Sequence, residues 1–221
     1  MNEEKGLING KSFLLDWNRI KIVLVLAIPA MIENTLQVFI GVVDTYFVSR
    51  LGTEAIAGVG ITNLIMNIYI AFFIAIGVGT TAIVARNIGA GNTEAANYSL
   101  KQSIIMALGI GIVSGLINLT FSIRLFSLLG AEERVIDYAI PYFLIVAGPS
   151  VFLCVMMVLS SALRGSGDTR TPMNVGVIAN IINAILDYVL IFGIFGFGGL
   201  GIVGAALATT ISRIVGVIIL L

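Results

Sequence analysis

Six apolar stretches, at about 22–46, 55–84, 103–123, 138–162, 173–195 and 200–221, take up most of this chain. At about 1.5 Å per residue, each is long enough to cross a hydrocarbon core of roughly 30 Å. Lipid offers no partner to backbone N–H and C=O groups, so a stretch of that kind has to close its own hydrogen bonds as a helix. Composition agrees: 58% of residues are hydrophobic and 11% charged, with a mean hydropathy of +1.08, where soluble domains carry about a quarter charged residues. The predicted fold class is an all-α integral membrane protein with six transmembrane helices. The second stretch exceeds one crossing, and its end near Ile83 to Asn87 is expected to reach the cytoplasmic interface.

The formal net charge is zero, so no global field points to nucleic acid or to an acidic partner. There is no histidine and one cysteine, Cys154, set in an apolar run. It has no second thiol for a disulfide, and a small buried hydrophobe is the better reading of it. No nucleophile–base arrangement is present, and an enzyme is not expected. Residues 1–21 mix Glu3, Glu4 and Asp16 with Lys5, Lys11, Arg19 and Lys21. That is not the pattern of a cleaved signal peptide, and the N-terminus is expected to be retained. Eight Lys and Arg fall in the N-terminal tail and the second and fourth connections, against three in the others, with Arg213 left out because it lies inside the sixth stretch. This bias places both termini on the cytoplasmic side of the plasma membrane.

Two carboxylates sit at membrane depth. Glu33, Gln37 and Asp44 fall at i, i+4 and i+11 of the first stretch, within roughly 40° on one helix face. Pro29, which lacks an amide donor, is expected to bend that helix one turn before Glu33. On the fifth stretch Asn180, Asn183 and Asp187 fall at i, i+3 and i+7, within roughly 60° of one another. Such stripes also arise as structural hydrogen-bonding seams between helices. An intramembrane carboxylate is costly, however, and persists mainly where it meets a partner, an ion or a water-filled cavity. Asp44 and Asp187 are therefore the candidate working site, and two amides beside a carboxylate suit a hard cation or a protonated acid.

Gly196, Gly198 and Gly201 spell a dinucleotide-binding fingerprint, but the required strand and the later acidic residue are missing. A glycine-rich turn between the fifth and sixth helices accounts for them. Gly111 and Gly115 read as a small-xxx-small pair for close helix packing. The connection Leu163-Arg164-Gly165-Ser166-Gly167-Asp168-Thr169-Arg170-Thr171-Pro172-Met173 reads as a tight cytoplasmic turn. Its glycines allow positive φ, Asp168 caps, and Pro172 opens the next helix.

That connection also resembles the signature loop of the multidrug and toxic compound extrusion (MATE) transporters. Other segments agree in order: Pro29 with Val43-Asp44-Thr45 and Leu51-Gly52; Ala85-Arg86-Asn87-Ile88-Gly89-Ala90-Gly91-Asn92; Asn183 to Tyr188; and Gly204 to Thr209. The resemblance implies one six-helix lobe, residues 1–221, of a two-lobe secondary antiporter that exports cationic or amphipathic organic compounds in exchange for Na⁺ or H⁺. No cofactor is implied beyond that coupling ion. It assigns Asp44, Asn183 and Asp187 to the cation site, with Thr209 a weaker match; Asn180 joins them on helical geometry. Asp44 and Asp187 are the candidates for holding Na⁺. A substrate cavity lined by Glu33, Gln37, Tyr46, Asn63 and Asn67, with Met31, Phe39 and Tyr69, is expected to be mostly apolar. The expected partners are the lipid bilayer, the exported drug and a second six-helix lobe in cis or in trans. The alternatives are an inactive truncated fragment, an assembly subunit, or a lipid-linked saccharide flippase of the same superfamily.

Overall fold

A computed structural model describes residues 17–193 and 198–221, which form seven helices and, among these residues, no strand. They are α1 (Trp17–Ser49), α2 (Thr53–Gly89), α3 (Thr93–Leu128), α4 (Glu133–Ala147), α5 (Ser150–Gly165), α6 (Arg170–Phe192) and α7 (Ile202–Leu220). Five are long and apolar enough to cross a membrane, and α4 with α5 makes a sixth span bent by 42°. The fifth and sixth sequence stretches are thus α6 and α7. α1 runs through Pro29 as a single helix, so the expected bend does not interrupt it. Gly196 lies outside the described residues.

The fourth stretch, expected as one uninterrupted helix, is instead broken at Gly148 and Pro149, and the cause is local. Pro149 has no N–H to give the Ile145 carbonyl one turn back, so the ladder cannot continue. Three carbonyls at the end of α4 then find side chains. Thr210 Oγ1 donates to Ile145 at 2.8 Å, Arg213 Nη1 to Val146 at 3.3 Å, and Asn118 Nδ2 to Ala147 at 2.9 Å. The Ser150 hydroxyl also donates to Ala147. α7 and α3 thus supply what the proline withholds, as a buried backbone break requires.

The α4–α5 span is the centre around which the other helices pack. α2 and α3 lie against both of its halves, as does α7. One core cluster joins Val48, Val59, Tyr142, Val146, Ile191, Ile202 and Ala205; a second joins Phe73, Ala107, Cys154, Val158 and Val217. A third joins Ile65, Met66, Phe126, Ala139 and Phe143. Gly111 and Gly115 do serve close packing: a Cβ at the first would strike the Val151 backbone, and at the second the Gly148 carbonyl. They let α3 approach the break itself. Outward faces of α1, α2 and α3 carry exposed Phe39, Phe72, Val78 and Leu116, the surface expected of helices that face lipid.

The loop before α6 is ordered by Asp168. Its Oδ1 accepts from the Arg170 and Thr171 amides at 3.1 and 3.0 Å, and its Oδ2 from the Thr171 hydroxyl at 2.6 Å. These bonds satisfy helix-start donors that otherwise have no partner. The Thr171 hydroxyl and amide, opposed by the cost of burial and helped by the Arg170 amide and charge, hold the Asp168 carboxyl below the usual aspartate range.

Candidate functional site

α6 turns its polar stripe inward. Asp187 is fully buried and Asn183 is 5% exposed, while Asn180 is half-buried. α1 lies directly along α6, which brings the half-buried Asp44 to Asp187. The two carboxyl-bearing residues thus belong to the facing helices of one interior. No donor among the described residues reaches either Asp187 oxygen, and the Asn183 amide nitrogen is also unpartnered. Buried polar atoms without partners are expensive and uncommon in folded proteins. Here three of them occur within about one helical turn.

Two further side chains complete the enclosure. Tyr142, on α4, is 5% exposed and shares a core cluster with Val48, one turn beyond Asp44, and Ile191, one turn beyond Asp187. Arg213, on α7, is half-buried and donates from Nη1 to the carbonyl of Val146, one turn beyond Tyr142, at 3.3 Å. Thr209, one turn earlier on α7, is half-buried and donates its hydroxyl to the Ala205 carbonyl of its own helix at 3.1 Å, leaving oxygen lone pairs free. The two carboxylates with the Asn183 amide make a donor set suited to a hard monovalent ion or a proton. Among the described residues no three His, Cys, Asp or Glu come together as a metal cluster.

The residues expected to line a substrate cavity are placed less uniformly. Glu33 is not a free cavity carboxylate: Arg164 Nη1 pairs with its Oε2 at 3.2 Å and its Oε1 at 3.4 Å. Arg164 Nη2 also donates to Ser161 Oγ at 3.1 Å, so this arginine of the signature loop is held by the protein rather than turned toward headgroups. The stem of Glu33 lies beside Gly176 of α6, where the missing side chain leaves room. Tyr46 is exposed, with its hydroxyl accepting from Arg50 Nη2 at 2.6 Å and the guanidinium over its ring. Asn63 and Asn67 are exposed on α2. Gln37 belongs to α1, but its side chain lies outside the described residues.

Sequence reasoning missed Tyr142 and Arg213 as members of the site. Tyr142 left no signal, because an aromatic residue in an apolar span reads as packing. Arg213 did leave one, since an ionisable residue inside a span is by default a candidate; it was set aside with the orientation count.

Apolar helices that enclose buried carboxylate and amide groups define a polytopic membrane protein. The sequence model of the MatE family matches residues 29–189, and the chain belongs to that family. The probable multidrug resistance protein NorM of Thermotoga maritima is 37% identical over 191 residues, which make up 86% of this chain and 41% of that protein. The FAD transporter of Shewanella oneidensis is 34% identical over 195 residues, 88% of this chain and 43% of that one. A solved multidrug resistance MATE family transporter of the MOP superfamily, in its outward-facing conformation, superposes with a TM-score of 0.84 at 32% identity, covering 90% of this chain and 44% of its own. The chain therefore spans less than half the length of these relatives, which are transporters and not enzymes.

Proposed function

We propose that this chain is the cation-coupling lobe of a secondary antiporter that exports cationic or amphipathic organic compounds in exchange for Na⁺ or H⁺. The observation that carries this reading is Asp187: a carboxylate with no exposed surface and, among the described residues, no hydrogen-bond donor, on a helix that packs along the one carrying Asp44. A carboxylate at membrane depth with no donor persists where it meets an ion or a proton, and with Asp44 beside it the pair can hold one in common. A cationic cargo competes for the same negative charge. One charge moving inward across 100 mV releases about 2.3 kcal/mol, enough to bias a two-state equilibrium by more than tenfold.

Alternating access needs a second bundle against which the first can move. In this reading a second six-helix lobe supplies it, in cis or in trans, and both termini of the present chain face the cytoplasm across the plasma membrane. The test is transport in proteoliposomes by the lobe joined to its counterpart, with Na⁺ and pH gradients imposed independently. Export that follows one gradient and stops in Asp187→Asn supports the proposal. Gradient-driven export at the parental rate in that variant overturns it.

A further inference from the structure

As the first and fifth of the six spans, α1 and α6 cross in the same direction, and contacts at two levels fix one register between them. At one end an added Cβ on Gly176 would come within 3.5 Å of the Glu33 Cγ. At the other the Phe47 ring packs against both Tyr188 and Phe192, whose centroids lie 6.4 and 5.9 Å from its own. In that register Asp44, eleven residues on from Glu33, stands level with Asp187, eleven on from Gly176.

The seam between the two helices differs on either side of the carboxylates. Toward Phe47 it is closed by the three rings and by Val48 and Ile191 of the buried apolar cluster. Toward the other end α6 brings Asn183, Asn180 and Gly176 into line with Asp187, all within roughly 60° of one face. Asn180 is half-buried, and the Asn183 amide nitrogen has no partner among the described residues. This polar line runs about 16 Å and ends at Glu33. There Arg164 Nη1 meets the two carboxylate oxygens at 3.4 and 3.2 Å, while Nη2 is anchored on Ser161. Both side chains keep exposed surface, so the ion pair stands at the mouth of the seam and not inside it.

We propose that the α1–α6 seam is the cytoplasmic passage of the coupling cation, with Glu33 as its mouth and Arg164 as the gate. The proposal rests on the cation-site reading and the orientation given above. Shut, the guanidinium occupies the carboxylate and turns other cations away by like charge. Open, it swings off Glu33, and the freed carboxylate draws Na⁺ or a hydrated proton along the seam. Among the described residues no matching polar line leads outward past the aromatic closure, so in this conformation the site communicates inward alone.

Thiol labelling in membrane vesicles of either orientation tests this with the whole chain. Cys154→Ala removes the native thiol, Asn180→Cys, close in volume, places one in the seam, and Tyr46→Cys marks the outer side. Two reagents that do not cross the bilayer are compared, a cationic trimethylammonioethyl and an anionic sulfonatoethyl methanethiosulfonate. Asn180→Cys should react from the cytoplasmic side only. The ratio of cationic to anionic rates should rise about tenfold in Arg164→Gln, as for a mouth that changes sign. It should stay near the parental value in Arg164→Lys and fall in Glu33→Gln, which leaves the guanidinium unpaired. A helix that is merely loosened speeds both reagents alike and leaves the ratio unchanged.

Reaction from the outer side, reaction from neither side, or a ratio unchanged in Arg164→Gln would overturn the proposal. If Arg164→Gln does not accumulate, Glu33→Gln decides: a lower ratio supports the gate, and a ratio at or above the parental value overturns it. Thermal unfolding of the purified parent chain in detergent, titrated with NaCl and with pH, tests the cation-site reading separately. A response to neither overturns that reading and this proposal with it, whereas an intact response with the seam sealed from the cytoplasmic side overturns this proposal alone.

Discussion

At position 187 an amide and a carboxylate have the same shape, and they differ in whether the side chain can carry charge. Asp187→Asn should leave the protein folded and inserted, because no hydrogen bond to a protein donor is lost. It should nevertheless reduce ion-driven export by the two-lobe transporter to the rate seen without a gradient, checked by efflux at matched expression. The same contrast explains what a reader of the sequence can find. Asp44 and Asp187 stand out because lipid makes a carboxylate costly whatever surrounds it. The Glu33–Arg164 pair is invisible at that level: its partners are 131 positions apart, and an arginine in a cytoplasmic turn is ordinarily solvated. Asp168 was legible as a capping residue, and it predicts a pH effect. Because its carboxyl is held below the usual range, its contribution is fully present above the ordinary aspartate value of about 3.9 and is lost as pH falls through its lowered one. Asp168→Ala should cost about 0.5–2 kcal/mol near neutral pH and progressively less on acidification below about pH 4, measured by denaturant unfolding in detergent.

Five of the six spans are each a single helix, and their existence was plain because hydropathy averaged over about 20 residues is a strong signal. The sixth shows what averaging hides. Gly148 and Pro149 lie in the middle of residues 138–162, and a window of that width passes over them, although a proline's missing donor dictates the break. What the sequence could not reveal is who compensates, since Asn118, Thr210 and Arg213 come from other helices. Asn118→Leu, close in volume but without a donor, should leave the buried Ala147 carbonyl to Ser150 alone. We expect a loss of about 1–3 kcal/mol, read as a lower unfolding midpoint. Pro149→Ala restores an N–H that can reach Ile145 in competition with Thr210. The span should then straighten, and the distance between spin labels on the outer ends of α4 and α5 should increase.

Across the whole molecule, one half-buried ion pair ties α1 to the end of α5. Its side chains are 31% and 15% exposed for Arg164 and Glu33, so solvent screens it and its contribution to stability is small, on the order of 1 kcal/mol or less. Its effect should appear in motion instead. Arg164→Gln should speed amide hydrogen exchange around Glu33 in α1 with little change in unfolding temperature, and the exchanged pair Glu33→Arg/Arg164→Glu should slow it again. The broken span has a consequence of another kind. With 15 residues in α4 and 16 in α5, the interruption falls about 22 Å from the outer end of α4, near the middle of the bilayer. A continuous helix would carry its partial charges only at the two membrane surfaces, where water and headgroups dissipate them. Cutting it in two places the last carbonyls of α4 at that depth, where Thr210 and Arg213 of α7 and Asn118 of α3 meet them. The break is thereby a clasp: α3 and α7 cannot leave it without uncovering backbone that lipid will not solvate, so these spans should come apart only together.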